Sequence, residues 1–116
     1  MKKNRKNSEH YLWGENCHGW HLVKGSELSV IEELMPSNTK ETRHYHSKAQ
    51  QLFYVLKGEA TFEIENEVVK VPSREGIHIQ PNLVHQIRNE GGTDLEFLVI
   101  SQPTTRGDRT NVSNAE

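Results

Sequence analysis

The apolar residues of this chain of 116 amino acids come in short bursts, and this spacing is the feature that most limits the possible fold. Pro, Gly, Asn, Ser and charged residues fill the segments between the bursts, as in turns. Short bursts at this spacing are typical of antiparallel strands, so the sequence predicts an all-β protein. A chain of this length fits a single domain. The bursts read WHLV, LSVIEELM, QQLFYVL, ATFEI, EVVKV, GIHIQP, HQI and LEFLVI.

Residues 26–35, SELSVIEELM, have two interpretations. The segment resembles an amphipathic helix capped by Ser26, but Leu28, Val30 and Glu32 also alternate as they would in a strand. The run stops at Pro36 in a turn-like sequence, and we favour the strand.

Residues 61–71, TFEIENEVVKV, alternate on both sides of Glu65-Asn66-Glu67. This pattern predicts a hairpin whose turn uses Asn66, the residue best suited to a positive φ. The inward positions of this and the other strands are predicted to form the core: Phe53, Val55, Phe62, Ile64, Ile79, Ile87, Phe97 and Val99.

Both ends of the chain are polar, which divides the sequence into three parts. Residues 1–9 are predicted to be a flexible basic segment, residues 10–102 the folded barrel, and residues 103–116 a polar, mobile tail. An alternative for the tail is that Arg106, Asp108 and Arg109 fold back over the barrel mouth.

Charge and cysteine content exclude several classes of function. A formal net charge of -2 gives no reason to expect nucleic-acid binding. Cys17 is the only cysteine, so disulfides within the chain and zinc sites built on several thiolates are excluded, and a reducing compartment is expected. No continuous apolar segment suggests a signal sequence or a membrane span. We therefore predict a cytoplasmic protein that binds neither nucleic acid nor membrane.

The segment RHYHSKAQQLFYVLKG contains the first part of a candidate metal site. Residues two apart on a strand point the same way, so His44 and His46 project together. Gln51 begins an otherwise apolar strand face, and His85 begins a new strand after a turn at Pro81. Imidazoles are common ligands for divalent transition metals.

These segments resemble the two sequence motifs of the cupin superfamily. His44, His46, Gln51 and Gly58 match the first motif with its spacing intact, although glutamine stands where the family usually has glutamate and the upstream glycine is missing. The second motif is matched by four further residues, with Leu83 in place of a usual glycine: Gly76, Pro81, His85 and Asn89.

The resemblance implies a double-stranded β-helix, a jelly-roll barrel with one divalent metal ion inside. Carried over by position, the ligands are His44, His46, Gln51 and His85, while iron, nickel, manganese, zinc and cobalt are all compatible. An amide ligand in place of a carboxylate leaves the full charge on the ion, which would then be held less tightly and act as a stronger Lewis acid. The ligand set is similar to that of small cupins that open unsaturated uronate sugars.

The function expected from this resemblance is that of a metal-dependent enzyme acting on a small oxygen-rich molecule, such as a sugar derivative. Isomerisation, hydrolysis and dioxygenation are all compatible. His78 is a candidate catalytic base, provided that it points into the pocket with Gln80. The alternatives are a non-catalytic module that binds or senses a small ligand, and a purely structural metal site. Edge strands and an aromatic amino-terminal segment favour a homodimer.

Overall fold

The computed structural model describes residues 1–113 and contains one short 3-10 turn, Arg5–Asn7, followed by strands. None of the helical structure in this part of the chain has the length and hydropathy needed to cross a membrane. The strands are β1 Glu9–Trp13, β2 Cys17–Lys24, β3 Ser29–Met35, β4 Thr39–Lys40, β5 His44–Tyr45, β6 Gln50–Lys57, β7 Glu59–Ile64, β8 Glu67–Pro72, β9 Gly76–Ile79, β10 His85–Asn89, β11 Leu95–Gln102 and β12 Thr110–Asn111.

The strands form two antiparallel sheets that enclose one core. The first sheet has the order β1-β2-β3-β11-β6-β9, and the second has the order β12-β5-β10-β7-β8, with β4 paired to β10. Neighbours in each sheet are often distant in sequence, as β11 between β3 and β6 illustrates. The all-β jelly-roll barrel predicted from the sequence is therefore confirmed.

Alternation along the strands places the core between the sheets. In β11, Leu95, Phe97 and Val99 are buried while the residues between them are partly exposed. The ring of Phe53 lies 5.0 Å from that of Phe62 and 6.0 Å from that of Phe97, measured between centroids. Full burial of one such side chain contributes about 1.5–3 kcal/mol. Of the eight predicted core residues, all are buried except Ile64, which is half-buried at the end of β7.

Most of residues 26–35, the segment for which the sequence allows a helix or a strand, forms strand β3. All seven residues of β3 pair with β11, and most also pair with β2, so backbone hydrogen bonding on both sides outweighs the local helical pattern. Ile31, Glu33 and Met35 share one side of this strand, and Met35 is fully buried. The inward side of β3 therefore carries a carboxyl group.

Two turns between neighbouring strands contain residues with positive φ, and this conformation explains which residue types occupy them. The β7–β8 hairpin has the predicted positive φ at Asn66 (75°), and Glu65, which also belongs to the predicted turn, has a positive φ as well (48°). Gly58, between β6 and β7, has φ of 86°, and a Cβ there would lie 2.8 Å from the carbonyl oxygen of Asp94. Only glycine fits this position without strain.

Both polar ends contact the barrel. Arg5 pairs with Glu32 at 2.6 Å and with Glu96 at 3.1 Å, and its guanidinium lies 4.1 Å from the ring centroid of Trp20. Residues 104–113, here called the C-terminal strap, run across the barrel mouth, where β12 pairs with β5 and Val112 N donates to Arg43 O. This is the alternative arrangement considered for the predicted tail, of which residues 114–116 lie outside the described part.

Candidate metal centre

Three histidine side chains meet inside the barrel. His44 in β5 and His85 in β10 face each other across a strand pair, and His46 follows directly after β5. Each is at most 4% exposed. One potential ligand atom from each ring lies within 4.8 Å of the other two, so these three residues can hold a metal ion. This is the histidine cluster expected from the sequence.

The hydrogen bonds of the three rings determine which nitrogen is available. Nδ1 of His44 lies 2.7 Å from Thr42 O, that of His46 2.5 Å from Asp108 O, and that of His85 2.9 Å from Leu83 O. A carbonyl oxygen can only accept, so each Nδ1 carries the proton and each Nε2 keeps a lone pair. Within residues 1–113, Nε2 of His46 and of His85 is buried without a partner. This arrangement suits a cation.

Burial also keeps these imidazoles neutral at physiological pH. Desolvation lowers the pKa of His44 to about 3 and that of His85 to about 4. It also lowers the pKa of His46. The backbone carbonyl contacts of the rings act in the opposite direction but are outweighed. Three neutral rings with free lone pairs are the state in which histidine binds metals.

Gln51 lies in the same cavity as two of the histidines, on the opposite sheet. Its Nε2 donates to Ser101 Oγ at 3.1 Å. This hydrogen bond fixes the orientation of the amide group and leaves Oε1 as its acceptor atom. That Oε1 is buried and has no hydrogen-bond partner in the described residues. A buried amide oxygen without a donor is costly unless a cation or water satisfies it. The observation fits the ligand role that the sequence resemblance implies.

Replacing Gln51 with glutamate is expected to tighten metal retention. A carboxylate would place a negative charge beside the ion, and a charge-assisted contact of about 1.5–3 kcal/mol corresponds to at least about a tenfold gain in affinity. Competition with a chelator of known affinity measures this change. The control is Gln50→Glu, because Gln50 faces the outer surface and bonds to Gln102. Equal affinities of wild type and Gln51→Glu would remove Gln51 from the ligand set.

The cavity beside the histidines also contains acidic groups that were not expected from the sequence. It has a volume of about 140 Å³ and is lined by Tyr11, Ile31, Glu33, Glu41, His44, His46, Gln51, Phe53, Val99, Ser101, Thr105 and Arg109. A second space of about 150 Å³ shares Tyr11, both glutamates and Arg109 with it and adds Trp13. Glu33 is the inward charged residue of β3, flanked by Ile31 and Met35, but Glu32 on the other face lies between Val30 and Leu34, so alternation alone does not single out Glu33.

The two cavity carboxyls hold their protons more tightly than ordinary glutamates. Burial raises the pKa of Glu33 to about 7, although the Tyr11 hydroxyl, which donates to Glu33 Oε2 at 2.8 Å, and the Arg109 charge act to lower it. Burial and the negative charge of Glu33 raise the pKa of Glu41 to about 8. Burial raises the pKa of the Tyr11 phenol as well, so this group remains a donor. Groups with such values can exchange protons near neutral pH.

The C-terminal strap holds the loop after the histidine motif. The Asp108 carboxylate accepts hydrogen bonds from Ser47 Oγ and from the backbone N–H groups of Ser47, Lys48 and Ala49, all at 2.8–3.0 Å. Partial burial would raise the pKa of Asp108, but these donors outweigh it and lower the pKa to about 2. Because Asp108 O also accepts from His46 Nδ1, this one residue fixes both the loop and the tautomer of the ring.

The structure does not place His78 in the cavity. Side chains alternate along β9, where Ile79 is the buried residue and His78 is exposed. His78 Nε2 lies 2.8 Å from Gln50 Oε1 on the outer face of the first sheet, beside an open groove of about 490 Å³. The inward orientation expected for His78 is thus not observed, because alternation assigns the inward position to its neighbour.

Comparison with known proteins agrees with this geometry. A family model described as the cupin domain matches residues 30–101. An uncharacterized protein of Methanocaldococcus jannaschii is 29% identical over 91 residues, which are 78% of this chain and 73% of that protein. The oxalate-binding protein of Thermotoga maritima is 29% identical over 66 residues, 57% of this chain and 54% of that protein. A sugar phosphate isomerase structure from Silicibacter pomeroyi superposes with a TM-score of 0.78 at 16% identity, covering 90% of this chain and 76% of that one.

Proposed function

Because this chain belongs to the cupin domain family, we propose that it is a metal-dependent enzyme acting on a small oxygen-rich molecule. One divalent ion would be held by His44, His46, His85 and Gln51. The observation that carries the proposal is the convergence of imidazole lone pairs on a buried cavity that also contains Glu33 and Glu41. Iron, nickel, manganese, zinc and cobalt all suit this ligand set.

The cavity residues favour proton transfer as the type of reaction. A bound divalent ion would supply Lewis acidity toward a carbonyl or hydroxyl oxygen. Glu33 is placed to take up or deliver a proton at its carboxyl oxygens, while the Tyr11 hydroxyl holds its Oε2. Phe53 and Val99 line the cavity as apolar walls. Isomerisation and elimination, which move a proton near a carbonyl, therefore fit better than hydrolysis or dioxygenation.

Two of the similar proteins support a small oxygen-rich ligand. The Thermotoga maritima relative is described as oxalate-binding, and the Silicibacter pomeroyi structure as a sugar phosphate isomerase. Both named compounds are rich in oxygen. The cavity of about 140 Å³ with its adjoining space of about 150 Å³ is below the usual range for drug-sized ligands, which agrees with a small compound.

The proposal is tested by metal-dependent proton exchange in heavy water. Metal-loaded protein incubated with a panel of sugar acids, sugar phosphates and hydroxy acids is expected to promote deuterium incorporation or conversion, followed by NMR. Glu33→Gln is expected to lower that rate at least about a hundredfold, the usual contribution of general acid–base catalysis, with its metal content unchanged.

The matched control is Glu32→Gln, the same substitution on the outward side of β3, where Glu32 pairs with Arg5. It is expected to retain the wild-type rate. Compounds that bind to the metal-loaded wild type without exchange or conversion would favour the second candidate, a non-catalytic cupin that binds or senses a small ligand. Equal rates in Glu33→Gln and wild type would remove Glu33 from the mechanism.

The predicted homodimer and cytoplasmic location are part of the same proposal. Three leucines of the first sheet and its connections support self-association because they are exposed: Leu12 (67%), Leu28 (43%) and Leu52 (38%). Apolar side chains exposed in this way are candidates for an interface between copies. Light scattering of the purified protein at several concentrations measures the mass, and a constant monomer mass would contradict the dimer.

A further inference from the structure

Arg109 is part of the wall of the candidate metal cavity, and we propose that it binds the anionic group of a small carboxylate-bearing substrate. This inference rests on the proposed function and narrows its substrate class. Arg109 lines both the cavity of about 140 Å³ and the adjoining space of about 150 Å³. It comes from the C-terminal strap, whereas the histidines come from the barrel.

The strap holds Arg109 from both sides. Asp108 is anchored by four hydrogen bonds to residues 47–49, and Thr110 and Asn111 pair with β5. The side chain of Arg109 is oriented by its Nε, which donates to Asn111 Oδ1 at 3.0 Å. Within residues 1–113, its two terminal amino groups make no hydrogen bond to protein. A guanidinium held in this way presents the paired donors that recognise a carboxylate.

The charge balance of the cavity favours an anion. Three neutral imidazoles and an amide would leave the charge of a divalent ion uncompensated, and Arg109 adds another positive charge. Glu33 and Glu41 are the acidic residues that line this cavity. Even with both ionised, their two negative charges only offset the ion, so Arg109 keeps the cavity net positive. A ligand with a carboxylate would neutralise that charge in a site partly removed from water.

The arrangement also gives the ligand a direction. His44 and His46 line the cavity of about 140 Å³, whereas Glu33 and Arg109 line both that cavity and the adjoining space, which the histidines do not line. A small hydroxy or oxo acid would place its carboxylate at Arg109 and its second oxygen toward the histidines. The carbon between these two groups would then lie in a space that Glu33 also lines.

The test compares glycolate with its neutral analogue glycolamide. The two probes have almost the same size and both carry the hydroxyl, so they differ mainly in charge. Amide shifts in NMR titrations of the metal-loaded protein give both dissociation constants. Wild type is expected to bind glycolate at least about tenfold more tightly than glycolamide, and Arg109→Gln is expected to lose about 10- to 100-fold in glycolate affinity only.

The control is Arg106→Gln, which removes the same charge from the same strap at a residue outside the cavity lining, and wild-type binding is expected. Equal glycolate affinity in Arg109→Gln and wild type would overturn the inference, because a simple counter-charge for Glu33 and Glu41 predicts that result. Failure of metal-loaded wild type to prefer glycolate would overturn it as well. Elemental analysis of the same samples tests the metal site separately, so a failure of metal binding can be distinguished from a failure of Arg109 to bind the anion.

Discussion

Replacing His46 with alanine is expected to remove most of the bound metal, lowering affinity at least about a hundredfold. His46 is 4% exposed, its Nδ1–H bonds to Asp108 O, and its Nε2 has no partner among the described residues. The variant would keep only two imidazoles and the weaker amide oxygen of Gln51 from the four proposed ligands. Elemental analysis of wild type and variant, purified side by side, measures the loss.

The same substitution should remove most of the stabilisation that the metal provides. An ion present at a hundred times its dissociation constant stabilises the folded protein by about 2.7 kcal/mol, and a hundredfold fall in affinity leaves only about 0.4 kcal/mol of this stabilisation. Urea unfolding with and without added metal measures it. His78→Ala is the matched control, since His78 lies exposed on the outer face and its loss should leave metal content unchanged. Equal metal content in His46→Ala and wild type would refute the proposed site.

Replacing Glu41 with glutamine is expected to stabilise the metal-free protein at alkaline pH by about 1–3 kcal/mol. Burial and the nearby charge of Glu33 raise the pKa of Glu41 from 4.5 to about 8. Between these two values the unfolded chain releases the proton while the folded chain retains it, so stability falls as pH rises. The Glu41 side chain is only partly buried, so solvent screening reduces the effect to this range.

Urea unfolding from pH 4.5 to 9 follows this effect. The free energy of unfolding of wild type should fall across the window, and that of Glu41→Gln should fall less, with the difference complete above about pH 8. The amide oxygen of the variant can still accept from Ile87 N, which bonds to Glu41 Oε2 at 3.1 Å. Glu59→Gln, at an exposed carboxyl, is the control. A parallel pH dependence in Glu41→Gln and wild type would contradict the expected titration.

The common direction of His44 and His46 was predictable from sequence because its information is local. Side chains two residues apart in an extended segment point to the same side. His44 and His46 were therefore expected to project together, whatever the position of that segment in the fold. His85 followed from the second motif, which meets the first through the contact of Asn82 N with His46 O at 2.7 Å. The orientation of His78 was not predictable in this way. A shift of one residue in the register of a strand moves each of its side chains to the opposite face of the sheet.

The acidic part of the cavity was not predictable because β3 is ambiguous on its own. One face of this strand carries Ile31, Glu33 and Met35, and the other carries Val30, Glu32 and Leu34. Each face has one glutamate between two apolar residues, so hydrophobicity cannot select the inward face. Pairing with β2 and β11 makes that selection.

The sequence by itself determined the strand pattern, the β7–β8 hairpin turn and the common direction of His44 and His46, because alternation and turn chemistry act over a few residues. Tertiary structure alone decided which polar groups share the cavity with those histidines. Glu33 and Arg109 line the same cavity but are distant along the chain. Asp108 holds the strap by accepting hydrogen bonds from backbone N–H groups, and such bonds cannot be predicted from a hydrophobic pattern. The closed barrel brings these groups together because strand pairing, not sequence proximity, sets their positions.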